Sequence, residues 1–139
     1  MAGIAVAMAT PVVAVAMLLL TDCFDCDGFG QPHFMGLCVR EVGADWSVEF
    51  GPVLPGRFPD TTYVEISDQN GAITLAATSF ARLTPAHWDT FHVVYEKVNP
   101  SIREIETGDH LVIDGLRYQY GSRLSIRDDA NVIGYATLP

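Results

Sequence analysis

Basic side chains are scarce in this sequence. Eight Lys and Arg stand against 17 Asp and Glu, a net charge of −9 over 139 residues. Gripping a phosphate backbone requires cations that displace counterions, so this balance argues against nucleic-acid binding, sequence-specific or not. The same acidity keeps DNA from adhering to a wall it slides past, and it serves plain solubility equally well. Cysteine is sparse too: three residues, an odd number, give little support for the disulfide framework of a secreted domain. No G-x-S-x-G, Walker-type loop or H-E-x-x-H occurs, and there is no internal repeat, coiled-coil heptad or low-complexity tract. The chain therefore reads as a non-enzyme. With 49% hydrophobic and 18% charged residues it is not a disordered chain, and its length suits one domain with a substantial core.

Charge is absent altogether from Met1 to Thr21. Ile4 to Leu20 is apolar apart from Thr10 and Pro11, close to the about 20 residues a membrane-spanning helix needs. Three readings follow. A signal peptide lacks its basic start here, and a membrane span lacks any Lys or Arg anchor before Arg40. The third is a buried arm, residues 1–21, packed in the fold or against neighbouring copies; Ile4, Val6 and Met8 alternate with Ala at a strand period.

Residues 22–139 read as one β-rich domain, a small antiparallel barrel or sandwich with at most one short helix. Residues 22–40 form a Cys/His/Gly loop. Trp46, Val48 and Phe50 alternate with Ser47 and Glu49, the pattern of a half-buried strand. Gly51–Asp60, with three prolines and two glycines, is an exposed loop. Tyr63–Ser67 and Ala72–Ala76 flank Asn70-Gly71, a hairpin signal. Thr84-Pro85 opens a turn or two of helix over Ala86–Thr90, ahead of a strand at Phe91–Tyr95. Residues 110–138 form a β-meander: Leu111–Ile113, Leu116–Tyr120, Arg123–Ile126 and Val132–Leu138. Its first turn is a two-residue type I′ turn at Asp114-Gly115, and its last is Asp128–Asn131.

The sharpest chemical constellation is Cys23, Cys26, His33 and Cys38, spaced C-x₂-C-x₆-H-x₄-C. Three thiolates and an imidazole are the donor set of a tetrahedral structural zinc, the one cofactor the sequence offers. Six residues before the His depart from the familiar knuckle, and Asp22, Asp25 and Asp27 are the wrong charge for one that binds nucleic acid. His87 and His92 lack the helical spacing of a ligand pair. Gly108-Asp109 forms a turn into the following strand, with the Asp bonding its local backbone. Asp128-Asp129-Ala130-Asn131 lacks the alternating oxygens of a calcium loop and reads as a turn.

Glu106-Thr107-Gly108-Asp109-His110-Leu111-Val112-Ile113-Asp114-Gly115-Leu116-Arg117-Tyr118, followed by Asp128-Asp129 and the apolar Val132–Leu138, resembles the C-terminal half of the head–tail joining (head-completion or stopper) proteins of long-tailed phages. The resemblance covers the last third of the chain. It implies a hairpin closing a small β-barrel and a ring of copies beneath the portal, sealing packaged DNA and presenting a surface to the tail, with no catalytic residues. The uncharged start and the Cys/His loop depart from the family pattern. A capsid-decorating or tail-adaptor protein, or a membrane-anchored β-domain with Ile4–Leu20 as its span, are the alternatives.

Overall fold

A computed structural model describes residues 35–129 and 131–139. Cys23, Cys26, His33 and the uncharged arm lie outside them. Eight strands fill the described part: β1 Leu37–Val42, β2 Asp45–Phe50, β3 Tyr63–Ser67, β4 Ile73–Ser79, β5 Val93–Glu96, β6 His110–Asp114, β7 Arg123–Arg127 and β8 Val132–Thr137. They form two four-stranded antiparallel sheets, ordered β1-β2-β6-β5 and β4-β3-β7-β8. The architecture is mainly β and sandwich-like; the sheets do not close into a barrel.

Alternation sets which face is buried. Trp46, Val48 and Phe50 of β2 and Leu111 and Ile113 of β6 face Val64 and Ile66 of β3 and Leu124 and Ile126 of β7. Most of these are completely buried, and burying each such side chain contributes about 1.5–3 kcal/mol. Phe80, Leu83, Ile105 and Tyr118 come from the connections and plug the gaps between the sheets. Phe50, Phe80 and Tyr95 form an aromatic trio with centroids 5.0–6.3 Å apart.

All four sheet edges, β1, β5, β4 and β8, are occupied or irregular along part of their length, which guards against edge-to-edge pairing. Beside β1, the Met35 N–H donates to the Ile133 carbonyl of β8, so the sheets meet at a seam. Gly134 permits that approach, because a Cβ there would stand 2.9 Å from the Met35 oxygen. On the far side the Tyr95 N–H of β5 donates to Leu83 O (2.8 Å). The β3–β4 pairing shifts register twice, so β4 is a bulged edge.

Several local expectations hold. Gly51–Asp60 contains no strand, and β3–β4 is a hairpin around Asn70-Gly71. Of the Asn70-Gly71 pair only Gly71 has positive φ (87°), and the Asp68 side chain accepts from the Asn70 and Ala72 N–H groups. Pro85–Phe91 is a short helical stretch, a 3₁₀ turn (Pro85–His87) running into α1 (Trp88–Phe91). Residues 37–40, read as part of the Cys/His/Gly loop, instead belong to β1; its outer end, Arg40–Val42, lacks the clean alternation that betrays a strand.

The meander reading of 110–138 is corrected. β6 pairs with β2 and β5, whereas β7 and β8 belong to the other sheet, so the chain changes sheets between them. Leu116–Tyr120 is not a strand, and Asp114-Gly115 is not a type I′ turn, since neither residue has positive φ. The Asp114 carboxylate accepts from the Leu116 N–H (2.9 Å), and its carbonyl from the Tyr118 N–H (2.9 Å). Tyr118 then dives between the sheets, its carbonyl taking the Trp46 indole N–H (3.0 Å) and its hydroxyl donating to Phe91 O (2.7 Å). Gly115 is glycine because of crowding: a Cβ there would meet Ala44 O at 2.0 Å.

Candidate functional site

β6 lies inside its sheet, between β2 and β5, and an aspartate stands at each end of it. At the entrance, Gly108 adopts φ 94°, which glycine tolerates without strain. Its N–H donates to Phe50 O (2.8 Å) while the Phe50 N–H donates to Asp109 O (2.9 Å). This double clasp turns the Asp109 side chain inward, where it is wholly buried.

Four donors converge on that carboxylate. Oδ1 accepts from the Val98 N–H (2.8 Å); Oδ2 accepts from the Tyr95 hydroxyl (2.6 Å), Lys97 Nζ (2.8 Å) and the Glu106 N–H (2.9 Å). Lys97 Nζ also donates to Glu104 O and lies 3.8 Å from Glu106 Oε1. Burial pushes the Asp109 pKa up, but the hydrogen bonds from Lys97, Tyr95 and the two amides outweigh it and hold the carboxyl below its usual value. Tyr95 moves the other way: burial first, then its bond to Asp109, raise the phenol far above its ordinary value. The Asp109 reading from sequence, a turn residue bonding local backbone, holds for Glu106 N–H. Lys97 and Tyr95 were missed, since partners 12 and 14 residues away leave no local spacing to read.

At the exit of β6, Asp114 Oδ2 lies 3.0 Å from His92 Nδ1. His92 ends α1 in the left-handed region (φ 57°), its N–H on Trp88 O (2.7 Å) and its carbonyl taking the Asp114 N–H (3.0 Å). His87 faces Thr84 Oγ1 instead (3.0 Å), so the two histidines serve different partners. Asp45 and Asp114 sit directly opposite each other across β2–β6, and with Glu49 and Glu96 they make the outer face of this sheet acidic.

Two open grooves of about 430 and 310 Å³ flank the Asp128–Asn131 turn, the first against Tyr63 and Arg127, the second against Arg57 and Thr61. Asp128 bonds the Asn131 N–H (2.7 Å) and pairs with Arg57 (3.3 Å), as a turn residue should. Of the four residues read as zinc donors, only Cys38 is described; it is buried on β1, opposite Glu49. Among the described residues no three His, Cys, Asp or Glu side chains gather as a metal site. None of their helices is long and apolar enough to cross a membrane. Compared with family models, curated proteins and solved structures, the chain matches none.

Proposed function

We propose that this chain is a structural virion protein of a tailed phage, forming a ring at the head–tail junction that joins portal to tail and helps retain DNA. The Glu106–Tyr118 motif carries the reading as sequence alone, since the hairpin and closed barrel that the resemblance implies are not formed. Its Gly108-Asp109 pair is the clasp that seats β6, so the resemblance falls on residues with a physical job. The mechanism is assembly: copies pack around the ring through exposed segments such as Gly51–Asp60, and acidic faces limit adhesion of passing DNA. No residue is assigned a catalytic role. Purified protein mixed with its portal, followed by mass measurement and negative-stain imaging, tests this. A ring on the portal is expected; a strict monomer that never joins it overturns the reading, and attachment to the capsid surface instead points to a decorating protein.

The uncharged Met1–Thr21 segment favours a second reading, a membrane-anchored β-domain. Fractionation separates the two: recovery from membranes only with detergent supports the anchor.

A further inference from the structure

Among the described residues, one buried side-chain oxygen accepts no hydrogen bond: Glu106 Oε1. Such an atom calls for an explanation, and its position supplies one. It points at Lys97 Nζ, 3.8 Å away, on an amine already 2.8 Å from Asp109 Oδ2. Amine, carboxyl and a spare base are thus gathered beside the Phe50–Phe80–Tyr95 aromatic trio, with Asp109 wholly buried and Lys97 15% exposed.

We propose that Lys97 and Asp109 condense into an intramolecular amide between Nζ and Cγ, with Glu106 as the proton carrier. The ion pair is the starting state. A proton passes from Nζ to Oδ2 along their hydrogen bond, leaving a neutral amine and a neutral acid. The Nζ lone pair attacks Cγ, and the negative charge that develops on Oδ1 is met by the Val98 N–H, 2.8 Å away. Glu106 takes a second proton from Nζ and delivers it to the Oδ2 hydroxyl, while the Tyr95 hydroxyl and Glu106 N–H hold that oxygen. The Cγ–Oδ2 bond breaks and one water leaves. Three ammonium hydrogens become one amide hydrogen and two on the water, so charge balances and no co-reactant is needed.

Two physical terms favour the product. Amide formation from free acid and amine is unfavourable in water, but well-oriented groups on one chain react at effective molarities up to about 10⁵–10⁸ M. A buried ion pair also carries a desolvation cost that a neutral amide does not. The product would staple the end of β5 to the start of β6 across the 97–109 connection.

Mass spectrometry of the denatured full chain tests this, with Lys97→Arg as the uncondensed reference. The wild type is expected to be lighter than its sequence by one water. Trypsin should fail to cut after Lys97 and yield a branched species joining residues 83–103 to 104–117. Glu106→Gln, folded by circular dichroism, is expected at full mass. Folded wild type at full mass after prolonged incubation overturns the proposal. So does a missing water that maps to a linear peptide, as a succinimide at Asp114-Gly115 would give. Glu106→Gln condensing like the wild type removes Glu106 from the mechanism and overturns it as stated.

Discussion

The two aspartates of β6 are five residues apart and live in different worlds. Asp109 is wholly buried, with four donors, one of them a lysine; Asp114 is at the margin, with one histidine and one backbone N–H. The difference shows how position decides what a carboxylate does. At the buried end every lone pair must be met inside the protein, and the group becomes a structural knot. At the exposed end water shares the task, and the carboxylate mainly steers the chain around Gly115.

Removing the knot tests the comparison most severely. In Asp109→Ala the Lys97 ammonium loses its buried partner, and a loss of about 3–5 kcal/mol is expected in chemical denaturation. Asp114→Ala, partly solvated, should cost about 1 kcal/mol; equal losses at both positions would erase the contrast. Next in size, Gly115→Ala drives a Cβ against Ala44 O and is expected to cost about 1–3 kcal/mol in thermal melts, whereas a harmless substitution would contradict the crowding. The third test is acid. Because the folded Asp109 carboxyl titrates below its unfolded value, its contribution is present above about pH 4 and is lost as pH falls through the folded value. Acid melts of chains carrying the ion pair should show that leg, and melts of Asp109→Ala should lack it. Chains in which the amide has formed have no carboxyl at this position and should also lack it. The smallest effect is expected for His92→Gly. Relief of the left-handed backbone and loss of the Asp114 contact oppose each other, leaving a net change within about 0.5 kcal/mol by the same melts.

Much of the β architecture was legible because it is written in local periods. Trp46-Ser47-Val48-Glu49-Phe50 alternates as a strand with one face in the core must, and Asn70-Gly71 marks a real hairpin. Asp114-Gly115 carried the same kind of signal with a different cause. Its glycine answers to Ala44, in the distant turn between β1 and β2, and its aspartate to Leu116, so turn chemistry alone misled. Leu116–Tyr120 alternates in sequence, yet Leu116 is 83% exposed and Tyr118 bridges the two sheets. The knot was half visible: Gly108-Asp109 announced a turn, but nothing near it in sequence pointed to Lys97.

The seam at Met35 has a mechanical consequence. A pull on the chain ahead of Met35 is carried at that point by its bond to Ile133 and by the Gly51 N–H bond to Gly36 O, one in each sheet. The load is therefore divided between two sheets at the threshold of β1 instead of peeling that strand alone. Gly134 is the hinge pin of this arrangement. A side chain there would part the seam and leave β1 to unzip from β2 one bond at a time.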